Sequence, residues 1–156
     1  MMRAIAKGLA AGAAGTVALN VASYLDMAVR GRGASSIPAQ TAGELADKAG
    51  VEIAEDPDSD TAEHRRSGLG ALMGYVTGLG VGAAYGALRS KVGPVRRPVA
   101  TLALTAAATV ASAGPMAKLG ITDPRQWSAK SWAMDLGPHL AYGLVTAVVH
   151  DELLSR

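Results

Sequence analysis

The stretch GLGALMGYVTGLGVGAAYGAL, residues 68–88, decides the class of this chain. It has no charged residue, and Gly70, Gly74, Gly78, Gly82 and Gly86 recur through it every four positions. In water each interior glycine would weaken a helix by about 1 kcal/mol relative to alanine. In a bilayer the backbone must satisfy its own hydrogen bonds, so the segment is held helical regardless. Glycines four apart then leave a groove that another backbone can approach closely. A four-residue step overshoots the helical repeat by about 40°, so the ladder winds around the helix, which favours a right-handed crossing or contacts to more than one neighbour, within the chain or with a second copy of it.

Three further apolar stretches are long enough to span a hydrocarbon core, which takes about 20 helical residues. With the first they give expected spans at Ile5–Met27, Gly68–Leu88, Pro98–Ala117 and Ser131–His150. The expected fold is an all-α integral membrane four-helix bundle, a single membrane domain over 1–156, with small-residue packing and a short interfacial helix. The stretch Ile5–Met27, with Arg3 and Lys7 as a charged n-region, has a signal peptide as its alternative reading. Asn20, Asp26 and the lack of a clean small-x-small site speak against cleavage.

Composition agrees. Aromatics are only 4% with no Phe, so alanine, glycine and valine must supply the apolar content, as in a GC-rich bacterial genome. The absence of Cys excludes disulfides and thiolate chemistry. A net charge of +2, without basic and aromatic interleaving, gives no nucleic-acid signal. The expected partners are the lipid bilayer and this chain itself or another membrane subunit. No cofactor or metal is expected.

The polar connection 28–67 holds one short helix, Pro38–Ala49, with Gly50 as its stop. Asp60 and Glu63 resemble a capping box that extends the second span outward. Asp56, Asp58 and Asp60 alternate like a calcium loop, but the required glycine is missing and position twelve is Ser67, so a solvated acidic linker is expected. Asp123-Pro124 with Gln126 forms one helical turn before the last span, and Trp127 and Trp132 are placed as interfacial anchors. Arg89, Lys91, Arg96 and Arg97 fill a short acid-free connection, expected against lipid headgroups. That connection favours a multi-pass protein of the cell (inner) membrane with both termini cytoplasmic.

Polar residues inside the spans form the candidate site. Thr16, Asn20 and Tyr24 are four apart, with Asp26 beyond them. Asp135, His139 and Tyr142 share one helical face, and Thr101, Thr105, Thr109 and Ser112 form a third row. Antiparallel spans bring Asn20, Tyr24, Asp26, Asp135, His139 and Tyr142 toward one membrane side. Two readings stand: an ionisable cluster serving a proton, ion or solute path, or interfacial aspartates with a His bonded to a neighbouring helix. His139 is the foremost functional candidate, because its charge changes near neutral pH.

The runs Tyr24-Leu25-Asp26-Met27 to Arg30-Gly31-Arg32, His64-Arg65-Arg66-Ser67-Gly68-Leu69-Gly70, and Thr122-Asp123-Pro124 through Trp127 and Trp132 to Pro138-His139-Leu140-Ala141-Tyr142-Gly143 resemble uncharacterised four-span membrane proteins of actinobacteria. They are more distantly similar to the YagU-type inner-membrane proteins linked to acid tolerance. The resemblance implies an integral membrane protein and carries no catalytic residues. The expected function is a structural or accessory membrane subunit acting through helix contacts, and not an enzyme. The alternative is a small proton, ion or solute channel or transporter that uses the Asp/His/Asn cluster.

Overall fold

The computed structural model describes residues 1–155 as five α-helices and one 3-10 turn, with no strand among the described residues. They are α1 (Met2–Arg30), α2 (Ile37–Lys48), α3 (Asp60–Val92), α4 (Arg97–Lys118) and α5 (Ala129–Leu154), with the turn Pro124–Gln126 before α5. Local chemistry sets these ends. The Ser59 side chain accepts from Ala62 N at 3.2 Å, which starts α3 at Asp60, well outside its apolar stretch. Gly50 at φ 68° follows α2, and Val51 N donates back to Ala46 O at 2.9 Å, closing its last carbonyls. The Asp123 side chain accepts from Arg125 N at 3.1 Å and opens the 3-10 turn.

Helices α1, α3 and α4 are long and apolar enough to cross a membrane. The fourth long helix, α5, carries Asp135, Pro138, His139, His150 and Asp151 and falls outside that group. α1 lies against both α3 and α5, α5 against α4, and α2 against the early part of α3. The polarity is inside-out. The buried apolar residues are Tyr85, Tyr142, Leu104 and seven alanines. Leu72, Val76, Val110, Leu102, Leu140 and Leu144 point outward from α3, α4 and α5. In water such a distribution would forfeit most of the apolar burial that drives folding.

The antiparallel α1–α3 seam is the tightest contact. A Cβ at Gly12 would lie 2.7 Å from Gly78 O and 3.0 Å from Gly82 Cα. One at Gly82 would lie 2.6 Å from Gly12 Cα, and one at Gly86 would lie 2.9 Å from Gly8 Cα. Real side chains keep carbon atoms about 3.5–4.0 Å apart. So only glycine on both helices permits this approach.

The ladder does not serve one contact. Gly78, Gly82 and Gly86 face α1, and Gly78 also nears Tyr142. Gly70 abuts the backbone of Pro38 on α2. Gly74 meets nothing within 4 Å and borders a cavity instead. The cause is the 40° drift of a four-residue step, which turns successive glycines toward different surroundings.

Candidate functional site

Helix α5 buries a polar face. Asp135, His139, Tyr142, Thr146 and His150 follow one another at spacings of three or four, so they share one side. Of these, Thr146 and His150 are fully enclosed, at 0% exposure, which in an apolar interior requires partners or water.

His139 is held at both ring nitrogens. Nδ1 lies 2.7 Å from Asp135 O, the carbonyl one turn earlier. A carbonyl only accepts, so Nδ1 carries a proton. Nε2 lies 3.2 Å from Ser112 Oγ on α4. Ser112 Oγ also lies 3.0 Å from Thr109 O. Its one hydroxyl proton can serve either acceptor, not both. With His139 neutral, Ser112 can donate to Nε2. With His139 protonated, Nε2–H donates to Ser112, which turns its own proton to Thr109 O. Asp135 Oδ2 is 3.5 Å from His139 Nδ1, beyond hydrogen-bond range, and has no donor among the described residues.

These groups border a cavity of about 410 Å³ at the end of the molecule where α2 sits. Asn20, Tyr24, Asp135, His139 and Tyr142 all line it. Asn20 Nδ2 reaches Tyr75 OH at 3.3 Å between α1 and α3. Tyr142 OH donates to Gly78 O at 2.6 Å, closing the inner end. Trp127 lies on the wall, with its Nε1 donating to Thr122 Oγ1 at 2.7 Å and its ring 5.0 Å from that of Trp132. A second recess shares the wall residues Tyr24, Ser35, Pro38 and Ala71 with the cavity. Glu44, Asp47, Glu63 and Arg66 border that recess.

Asp26 does not join the cavity. Arg32 Nε donates to its Oδ2 at 2.5 Å and Arg30 Nε to its Oδ1 at 2.6 Å. Two guanidiniums that follow it in sequence hold it at the end of α1, away from His139.

Inward of Tyr142 the polar face continues without partners. Thr146 Oγ1 faces Gly15 of α1 and has no hydrogen bond among the described residues. Both nitrogens of His150 are also unpartnered, as are Tyr85 OH, Arg89 Nε, Thr101 Oγ1 and Thr109 Oγ1. The His150 ring meets Tyr85 edge-on at 4.9 Å. Arg89 Cζ sits 5.8 Å from the centre of the Tyr85 ring. Arg89 and Arg97 approach Asp151 at 3.3 Å and 3.5 Å, and Lys7 Nζ donates to Leu153 O at 2.5 Å. Native interiors leave few polar atoms unpaired, and such groups call for ordered water or a functional cause.

The expected headgroup set therefore divides. Lys91, Arg96 and Arg97 are exposed at the α3–α4 connection. Arg89 is buried instead. Its place one turn after Tyr85 lays the guanidinium over that ring and toward Asp151, an acid that the short connection itself lacks. The sequence reading passed over Thr146, His150 and Tyr85, and noted Ser112 only as the end of the threonine row. The signal was present, since the spacing that links Asp135, His139 and Tyr142 continues to Thr146 and His150. No group of His, Asp and Glu suited to a metal ion occurs among the described residues. No protein-family model, curated protein or solved structure matches the chain.

Proposed function

We propose that the chain is a four-span integral protein of the cell membrane that passes protons along the buried polar face of α5. The observation that carries this reading is the row of enclosed, unpartnered atoms at Thr146 Oγ1, His150 and Tyr85 OH, beyond a cavity that reaches His139. Asp135 and Asp151 are sixteen residues apart on α5, which is about 24 Å of helix and most of a hydrocarbon core. Four residues of rise cover about 6 Å. That is close to two hydrogen bonds end to end, so one water between successive groups makes a continuous chain.

In this reading the cavity brings water to His139. Its Nε2 takes a proton, and Ser112 answers by turning its hydroxyl to Thr109 O. The Tyr142 hydroxyl, bonded to Gly78 O, is the narrow point and must rotate to pass a proton inward. Thr146 and His150 then relay it toward Arg89 and Asp151. The outward Leu and Val side chains suit lipid, and the exposed Lys91, Arg96 and Arg97 suit a cytoplasmic surface with both termini on that side.

The accessory-subunit reading needs helix surface that is free for partners. Gly78, Gly82 and Gly86 already lie against α1 of the same chain, which favours the conduction reading. The test is proton entry into liposomes that hold the purified protein and a trapped pH dye, driven by a potassium diffusion potential. Expected is entry well above protein-free vesicles, reduced at least fivefold by His139→Gln and by Thr146→Val at unchanged helicity. Entry equal to that of empty vesicles, or unchanged in both variants, overturns the proposal.

A further inference from the structure

We infer that the cavity beside His139 is a binding site for a lipophilic organic cation, with Asp135 as its counter-charge. The inference concerns the same cavity as the proton path and rests on that reading for its access to water, but not on conduction.

Asp135 Oδ2 is a buried carboxylate oxygen with no hydrogen-bond donor among the described residues. The side chain as a whole keeps 23% exposure and borders the cavity, so a cation there would meet an oxygen that lacks a donor. No Lys or Arg lines the cavity among the described residues, so an anion would find no cationic partner there. A small metal cation fits no better. It would need several oxygen ligands, whereas among the described residues Asp135 supplies the only carboxylate on the wall and its carbonyl already serves His139.

The remaining wall is suited to a large, weakly hydrated cation. Tyr24, Tyr75 and Trp127 on the wall are aromatic, a residue type that attracts cations, and Leu19, Met73 and Met116 add apolar and polarisable surface. The volume of about 410 Å³ lies in the range of small-molecule pockets. The approach agrees in sign. The recess that shares part of its wall carries Glu44, Asp47 and Glu63 against Arg66, and acidic groups so near concentrate cations beside the cavity.

The titratable groups facing the site are Asp135, His139 and Tyr142 from α5, Tyr24 from α1 and Tyr75 from α3, whereas α2 and α4 contribute none. A proton on Asp135 would remove the counter-charge and one added to His139 would bring a like charge, and both oppose a bound cation. Proton and cation therefore compete at one place.

The experiment is equilibrium binding of tetraphenylphosphonium to the purified full-length protein in mild detergent. Tetraphenylborate, of the same shape and opposite charge, is the comparison probe. Expected is saturable binding of the phosphonium with at least tenfold preference over the borate, weakening in acid. Asp135→Asn should lower affinity at least tenfold with helicity retained. Thr146→Val, which lies inward of the cavity floor, should bind normally while losing proton entry, so the two proposals fail separately. Equal binding of both probes, or wild-type affinity in Asp135→Asn, overturns the assignment. The probe comparison on the unaltered protein decides the matter even if Asp135→Asn does not fold.

Discussion

Adding one methyl group to Gly82 should separate α1 from α3, and adding one to Gly80 should do nothing of the kind. The two glycines are two residues apart on the same helix. A Cβ at Gly82 would stand 2.6 Å from Gly12 Cα and 2.9 Å from Gly12 N. Those atoms are backbone and cannot swing aside as a side-chain tip can. To restore an ordinary carbon contact of about 3.5–4.0 Å, α1 must retreat by about 1 Å. A gap of that size forfeits up to about half of each local dispersion well. The loss spreads along the seam, because Gly8, Gly12, Gly78 and Gly86 meet across the same interface. Overpacking of this kind costs about 1–3 kcal/mol.

At Gly80 nothing lies within 4 Å of the added carbon. There the change only improves helix propensity, by up to about 1 kcal/mol in water and less where the unfolded chain is already helical. Gly80→Ala should therefore be neutral or slightly stabilising, and the two variants should differ by about 2 kcal/mol. The assay is unfolding by sodium dodecyl sulfate from mixed micelles, followed by helicity and by the fluorescence of Trp127 and Trp132. Coincident midpoints for Gly82→Ala and Gly80→Ala would refute the close-packed seam.

Alkaline carbonate should leave the protein with the membrane fraction and mild detergent should extract it, as expected of apolar spans; release by carbonate would contradict them. A reporter fused at the C-terminus should be active in the cytoplasm, and one inserted at Gly50 outside it; the reverse pattern would invert the orientation drawn from Arg96 and Arg97. Asp123 should lose its capping role in acid. The hydrogen bond from the Arg125 side chain, then those from Gln126 and the Arg125 backbone, hold its carboxyl at about 2 rather than 3.8. A depressed acid contributes its stabilisation above the ordinary value and loses it as pH falls through the folded value. Tryptophan fluorescence should thus change between about pH 4 and 2, and Asp123→Asn, which can still cap, should remove that titration.

The apolar helices over residues 68–88 and 98–117 were legible because an uninterrupted apolar run leaves a segment no alternative to helix in lipid. The outward start of α3 was legible from Asp60 and Glu63, although the cap itself is Ser59. The glycine ladder was visible, but not its partner. Ala4, Gly8, Gly12 and Thr16 form a matching four-residue row on α1. It is diluted by the surrounding alanines, so it does not stand out as the α3 row does. The pairing of Gly70 with Pro38 was not readable, since no local pattern says that α2 folds back onto α3. Ser112 was hidden for a related reason. As the last of a row of hydroxyl residues it reads as a backbone-bonded helix residue, and only the packing of α4 on α5 brings it to His139.

The seam and the polar face meet at Gly78, and this explains why one end of the molecule is closed and the other open. Outside Gly78, toward the α2 end, the ladder has turned away from α1, and Gly74 borders the cavity. Inside it, Gly82 and Gly86 press against Gly8 and Gly12 with no space for a side chain. At the junction, Tyr142 reaches across from α5 and donates to the Gly78 carbonyl. A Cβ on Gly78 would collide with Thr16 Oγ1 and stand 3.4 Å from Tyr142 Cε2. The missing side chain thus does two jobs there. It lets α1 come close, and it leaves room for the tyrosine that floors the cavity. A rigid seam fixes that carbonyl in place, so the Tyr142 hydroxyl has one defined acceptor.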